Sequence, residues 1–199
     1  MKHSPVSKSA AAQSDLFGRA LLPDLEAAEA FITEAEEAAL IGHIEQAGLE
    51  AFKFQQWEGK RLTRSFGWSY DFQTGDFARA APIPDWLAPI AARAERFAEL
   101  PPGALAHALL ISYGPGAGIG WHKDRPVFEH VVGISLGAEA AMRFRRRRRE
   151  KFDRFALPLA PRSIYRLAGE ARRGWEHSIA PIEEARWSIT FRSLAEGSR

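Results

Sequence analysis

The sequence predicts an α+β protein, with two helices in its first half followed by an antiparallel β sandwich or barrel. Two observations carry this. Before residue 100, apolar side chains recur at helical spacing in two separate blocks. After Gly103, short apolar or alternating segments are separated by Gly, Pro and charged turns. No internal repeat interrupts the pattern.

The elements follow in order. The first residues, 1–14, are polar and lack the apolar core of a secretory signal, so a disordered tail is expected there. Thr33-Glu34-Ala35-Glu36 fits a capping box, in which hydroxyl and carboxylate satisfy orphan N–H groups at a helix start. Leu40, Ile41, Ile44 and Ala47 then share a face, and Gly48 stops the helix. The stretch 52–77 is rich in aromatics and Arg and reads as strands joined by turns. A second helix is expected over 85–100, capped by Asp85. Its stripe is Trp86, Ile90, Ala94 and Phe97, and Pro89 falls in its tolerant first turn. Six strands are then expected, at 104–113, 130–136, 140–146, 163–167, 177–180 and 187–191.

Composition narrows the chemistry. The chain has 199 residues, 46% hydrophobic and 26% charged, and no cysteine. Disulfides, thiolate zinc sites, iron–sulfur clusters and a cysteine nucleophile are therefore excluded. Any metal must be held by imidazole and carboxylate. No apolar run is long enough to span a bilayer, and a cytoplasmic monomer is expected. The net charge is only +2, but Glu gathers near 33–50 and Arg at 143–149, an asymmetry that points to an anionic partner.

Three features carry chemistry. Trp121-His122-Lys123-Asp124 follows a glycine-rich turn, and in an extended segment residues two apart point the same way. His122 and Asp124 can thus converge, and a third, distant ligand would make a facial triad suited to non-haem Fe(II). A surface ion pair is the alternative. His177, in Trp175-Glu176-His177-Ser178, is a candidate third ligand or a structural histidine. In 186–192, Arg186, Ser188, Thr190 and Arg192 share one face while Trp187, Ile189 and Phe191 share the other. Two inward arginines are costly unless each meets an anion. The row is either a carboxylate site or the solvated face of an edge strand.

Taken in order, His-x-Asp, His, then Arg-x-Ser-x-x-x-Arg resembles the AlkB family of Fe(II)- and 2-oxoglutarate-dependent dioxygenases. Ile111-Ser112-Tyr113-Gly114-Pro115-Gly116 looks like the family's strand and turn before the metal ligands. Gly133-Ile134-Ser135-Leu136-Gly137 looks like the strand after them. Arg64-Ser65-Phe66-Gly67-Trp68-Ser69-Tyr70 resembles its substrate lid. The resemblance implies a double-stranded β-helix, or jelly roll, with N-terminal helices packed on one side. It implies a single domain over 15–199, with helices and lid in 15–103 and the jelly-roll core in 104–194. It further implies Fe(II) on His122, Asp124 and His177. The distal carboxylate of 2-oxoglutarate would pair with Arg186 and its body would meet the Tyr113 hydroxyl, with Ser188 and Arg192 completing the pocket. The chain departs from the family's pattern at Ile111 and, in some branches, Ser188, where members carry Asn. It departs again at Arg125-Pro126, near an acidic base-reading residue of the DNA-repair prototype.

The expected reaction consumes O2 and 2-oxoglutarate and demethylates N-alkylated bases of DNA or RNA. A hydroxylated N-methyl group collapses to formaldehyde without a protein acid–base pair. Expected substrate contacts are Arg64, Trp68 and Tyr70, in a stretch that interleaves Arg61 and Arg64 with aromatic rings able to stack on a base; a hairpin packed on the core by those aromatics is the alternative. Arg145 and Arg146 belong to the run at 143–149, which begins in the strand expected at 140–146 and passes into a hairpin turn; phosphate contact is expected there, with a solvated loop as the alternative. The same chemistry on methylated tRNA or protein, and a non-catalytic nucleic-acid-binding jelly roll, stand as alternatives.

Overall fold

The computed structural model describes residues 22–54, 57–70 and 77–198. The expected tail lies outside them, as does the side chain of Tyr70. In chain order the elements are β1 (Leu25–Ala28), α1 (Glu34–Gln46), β2 (Glu50–Phe54), β3 (Trp57–Phe66), β4 (Trp68–Tyr70) and β5 (Phe77–Arg79). They continue with α2 (Ala88–Phe97), β6 (His107–Tyr113), β7 (Ala117–His122), β8 (Phe128–Gly137), β9 (Ala140–Arg148), β10 (Lys151–Leu159), β11 (Ile164–Leu167), α3 (Gly169–Arg173), β12 (Glu176–Ile182) and β13 (Arg186–Leu194).

Two sheets hold the molecule together. The larger has the order β1-β11-β8-β13-β6-β3-β2 and the smaller β10-β9-β12-β7. Every pairing within them is antiparallel. Val131, Tyr165 and Leu167 of the larger sheet meet Met142, Phe144, Leu157 and Ile179 of the smaller in one buried cluster. On the other face of the larger sheet, Leu110, Val132, Ile134, Ile189 and Phe191 pack on Leu40 and Ile44 of α1 and on Ile90 and Ala94 of α2. The fold is therefore α+β, a jelly roll with its N-terminal helices on one side. No helix among the described residues is long and apolar enough to cross a membrane.

The capping box at Thr33 is present: Glu36 N–H donates to Thr33 Oγ1 at 3.2 Å, and Thr33 N–H donates to Glu36 Oε2 at 2.8 Å. At the other end of α1, Gly48 takes φ +66°. The Arg64 guanidinium lies against it and donates to the carbonyls of Ala47 (2.6 Å) and Gly48 (3.3 Å). These are acceptors the helix leaves unsatisfied at its end.

Several expectations are corrected. Asp85 does not cap α2. It opens a 3-10 turn whose N–H of Leu87 donates to the Pro84 carbonyl, and α2 begins after it with no side-chain cap. The glycine-rich stretch before His122 is largely strand β7, because its glycines let β7 lie close on β12. A Cβ at Gly118 would stand 2.7 Å from the Ile179 carbonyl oxygen. The strand expected at 140–146 is β9 and continues to Arg148, so most of the arginine run is strand, and 151–159 is a strand as well. The larger sheet also takes β1, β2 and β3 from before residue 104, so that position does not separate helices from sheet.

Candidate active site

The site begins with strand register. β7 and β12 are neighbours, and His122 stands opposite His177. Between that pair and the next, Ile119 opposite Ile179, β7 carries one more residue than β12. A bulge of this kind shifts the alternation of side chains and commonly re-aims one beside a site. Ile119 and His122 both face the interior as a result, and Trp121 faces out. The two imidazoles lie with ring centroids 4.3 Å apart. The chain leaves β7 after His122 and brings Asp124 back to the same point, its Oδ2 3.4 Å from His177 Nε2. One donor atom from each of His122, Asp124 and His177 lies within 4.8 Å of the others.

The protonation states suit a metal. His122 Nδ1 is 2.9 Å from the Gly120 carbonyl oxygen. A carbonyl only accepts, so Nδ1 carries the hydrogen and Nε2 keeps its lone pair. Burial, with His177 adding to it, pushes the His122 pKa down to about 4, so the ring is neutral near pH 7. Burial alone would raise Asp124, but the Arg192 guanidinium and the hydrogen bond from His177 outweigh it and hold the carboxyl well below its usual range. Two imidazoles and one carboxylate are the donor set of a facial triad, and they fit Fe(II).

Arg192 supports this set from behind. Its Nε donates to Asp124 Oδ1 at 2.8 Å, leaving Oδ2 toward the histidines. Partners of this kind orient a ligand and tune the metal it holds. Another of its nitrogens lies 3.4 Å from His107 Nδ1. Arginine only donates, so that nitrogen of His107 accepts. Burial and the Arg192 charge keep His107 neutral, its pKa well below the ordinary value.

Arg186 is the other cation of the row. β13 lies inside the seven-stranded sheet, so the edge-strand alternative is removed. Arg186 is 1% exposed. One Nη donates to Ser135 Oγ at 3.1 Å, and the guanidinium lies 4.8 Å from the centre of the Tyr113 ring. Among the described residues its Nε and remaining Nη are buried without a hydrogen-bond partner. A buried guanidinium in this state is costly unless an anion completes it, and a carboxylate offers the two matching oxygens. The residues present therefore fit a dicarboxylate co-substrate. Tyr113 is flanked in register by Arg186 on one side and Arg61 on the other. Ser188 is buried on the same row and pairs with Ile111. Two of the positions where the sequence departs from the AlkB pattern, Ile111 and Ser188, are thus cross-strand neighbours.

The expected substrate contacts divide. Trp68 lies on the β4–β5 hairpin, stacked on Phe77 at 4.8 Å. Phe77 meets Phe128 edge-on at 5.8 Å, and Phe128 packs on His107 at 4.9 Å and under Arg192 at 5.2 Å. An aromatic path thus runs from the hairpin to the residue that holds Asp124. Gly67 makes the corner before β4, with φ +76° and the Ala106 carbonyl oxygen only 2.1 Å from where a Cβ would stand. Arg64 is not on this path. It faces the helices and ends α1, in place of the expected substrate contact. Arg145 pairs with Glu176 at 2.7 Å, and Arg146 with Glu170 at 2.5 Å and Asp153 at 3.4 Å. Neither is the free phosphate donor that the run suggested.

Sequence reading missed three residues near the site and misplaced a fourth. Arg61 was grouped with Arg64, but three positions along a strand put the two on opposite faces. His107 carried no signal until its register with Arg192 was known. Phe128 reads as ordinary core. Tyr165 covers Gly133, where a Cβ would stand 2.2 Å from the ring. A glycine inside a strand is a recognised sign of such close approach.

Comparison with known proteins gives the following. The model of the 2OG-Fe(II) oxygenase superfamily matches residues 19–192. An Arabidopsis thaliana protein described as "Alkylated DNA repair protein ALKBH8 homolog" is 28% identical, over 81% of this chain and 50% of the relative. "Uncharacterized protein L905" of Acanthamoeba polyphaga mimivirus is 32% identical, over 43% of this chain and 47% of the relative. The chain spans about half the length of the curated relatives it matches. The solved structure of OsALKBH1 superposes with a TM-score of 0.65 at 17% identity, covering 88% of this chain and all of that one. It is similar in fold.

Proposed function

Since the chain belongs to the 2OG-Fe(II) oxygenase superfamily, as an AlkB-like 2-oxoglutarate-dependent dioxygenase, we propose that it oxidatively demethylates N-alkylated bases in nucleic acid. One juxtaposition carries this reading. The cluster of His122, Asp124 and His177 adjoins Arg192 near one end of β13, where the aromatic path from Trp68 arrives. The uncompensated Arg186 stands at the other end. A buried guanidinium short of hydrogen-bond partners and an aromatic surface thus stand toward the two ends of one strand, with the metal cluster at the aromatic end.

Fe(II) held by His122, Asp124 and His177 would supply, with 2-oxoglutarate and O2, the oxidising power to hydroxylate a C–H bond. The chain's own residues bind and orient. Arg186 holds the distal carboxylate of 2-oxoglutarate, Tyr113 donates its hydroxyl to the co-substrate, and Ser188 borders the pocket. Arg192 keeps Asp124 ionised and aimed. Trp68 offers a face on which an extruded base can stack, which an enzyme acting on a base requires. One oxygen atom enters the N-methyl group and the other enters succinate as 2-oxoglutarate loses carbon dioxide. The N-hydroxymethyl product then expels formaldehyde and leaves the free amine. No protein acid or base is needed for that last step.

The test is formaldehyde and succinate release across N-methylated DNA, RNA and peptide substrates, with Fe(II) and 2-oxoglutarate supplied. Release from methylated bases supports the reading. Release from peptides alone would move the substrate to protein. If His122→Ala turned over 2-oxoglutarate like the parent, the metal assignment would be wrong.

A further inference from the structure

The outward face of the smaller sheet is a row of arginines that the metal site does not use. Phe144 and Met142 of β9 point inward, so Arg143, Arg145 and Arg147 point out. The pairing of β9 with β10 sets Arg154 opposite Arg145 and Phe152 opposite Arg147. On the other side, β12 contributes Glu176 and Ser178 opposite Arg145 and Arg143. Four cations thus share the face with one carboxylate. Glu176 is bound to Arg145, whereas Arg143, Arg147 and Arg154 have no carboxylate partner among the described residues.

These side chains are held in place. Arg143 and Arg145 lie over the Trp121 ring at 5.3 and 4.4 Å, and Arg145 and Arg154 over Phe152 at 5.0 and 5.7 Å. Arg143 Nε donates to Ser178 Oγ at 3.2 Å. Stacking and Nε bonding fix the plane of a guanidinium and leave its Nη edge for an anion. No helix covers this face among the described residues, since α1 and α2 pack on the larger sheet. Its position is also specific. Glu176 and Arg145 are paired in register directly beside His177 and Phe144, at the level of the metal cluster, and Trp121 is the residue before His122.

We infer that this face binds the phosphodiester backbone of a single-stranded nucleic acid whose target base occupies the active site. The inference rests on the proposed base demethylation and adds to it the surface that carries the strand. Outward residues two apart on a β-strand stand about 6.6–6.8 Å apart, commensurate with successive phosphates of an extended strand. A single strand pays no unpairing cost to deliver its base. Backbone contact reads no sequence, so DNA and RNA bind this face alike.

The experiment compares the parent with the variant Arg143→Gln/Arg147→Gln/Arg154→Gln, and with the same positions changed to Lys. Binding of a fluorescein-labelled single-stranded oligonucleotide is titrated against salt, as DNA and as RNA. Kinetics are followed on a methylated oligonucleotide and on the free methylated nucleoside. Three phosphate contacts at about 0.7 each predict a log–log salt slope shallower by about 2 in the Gln variant, with affinity down roughly tenfold or more. The oligonucleotide KM rises to match, kcat holds, the nucleoside is turned over as before, and the Lys variant restores the slope. Equal affinity and slope in parent and Gln variant would overturn the inference, as would competition by polyglutamate equal to that by the oligonucleotide. Loss of strand binding without formaldehyde from any methylated base would sustain the surface and sink the demethylation reading. Formaldehyde from free nucleoside, with no strand bound, would do the reverse.

Discussion

Two rows of arginine at the same alternation do opposite things in this molecule. On β13, Arg186 and Arg192 face the space between the sheets; on β9, Arg143, Arg145 and Arg147 face away from it. The inner pair is buried or nearly so, and its charges are met, or left unmet, by groups of the site. The outer row is steadied by the faces of Trp121 and Phe152 and keeps its edges toward water. A guanidinium in the interior must find an anion, because desolvation of a charge costs several kcal/mol. One at the surface need not, and a typical surface ion pair contributes about 0–1 kcal/mol. The inner row therefore marks where a ligand belongs, while the outer row can at most invite one.

The comparison breaks most visibly at Asp124. Asp124→Ala removes a metal ligand and also leaves Arg192 buried beside a missing partner. Breaking a buried pair from one side costs about 3–5 kcal/mol. The apo protein should lose on the order of 10 °C in Tm, and 2-oxoglutarate turnover should fall to background. Calorimetry and succinate release read the two effects. A variant as stable as the parent would mean that Arg192 is not held by Asp124.

Arg186→Met sharpens the same contrast, with effects of opposite sign. Without its anion, Arg186 burdens the folded protein, so an apolar side chain of similar length should raise the apo Tm. Replacing buried charge by packed apolar groups has gained about 1–4 kcal/mol elsewhere. Affinity for 2-oxoglutarate should drop by roughly two orders of magnitude, since truncating a buried charged partner costs about 2–5 kcal/mol. Thermal shift with and without 2-oxoglutarate measures both at once. If apo stability fell instead, Arg186 would be a structural residue with a partner in the fold.

How far all this could be read from sequence depends on the kind of fact. His122, Asp124 and His177 were legible as types in order, because a metal centre needs imidazole and carboxylate and the chain has no thiol. Their convergence was less so. It depends on the bulge in β7, which a glycine-rich stretch conceals by reading as a turn. The alternation in 186–192 was plain, but only sheet order distinguishes an inner strand from an edge, and that order is set by pairings remote in sequence. The face that Arg61 takes and the role of His107 were hidden for the same reason: each gains its meaning from a neighbour one strand away. The strand at Trp68 was legible, and the ring has a partner on the next strand, Phe77. The strand at 140–146 was legible from its alternation, but the charge density beyond it hid that the strand continues to Arg148.

Arg64 supplies a third kind of arginine, neither inner nor outer in the sense above. It is exposed, yet its guanidinium ends α1 by bonding two carbonyls, and it lies 5.4 Å from the Phe66 ring. A cation at a helix C-terminus is favourable by charge as well as by hydrogen bonding. Arg64→Ala should therefore cost about 1 kcal/mol, or roughly 2–4 °C in Tm. Oligonucleotide affinity and its salt slope should stay as in the parent, since no phosphate reaches a guanidinium committed to α1. That combination separates the structural arginine from the outer row, whose loss should leave Tm nearly unchanged and shift the slope. Should Arg64→Ala lower strand affinity at unchanged Tm, the division of arginines by what each one touches would fail at its simplest case.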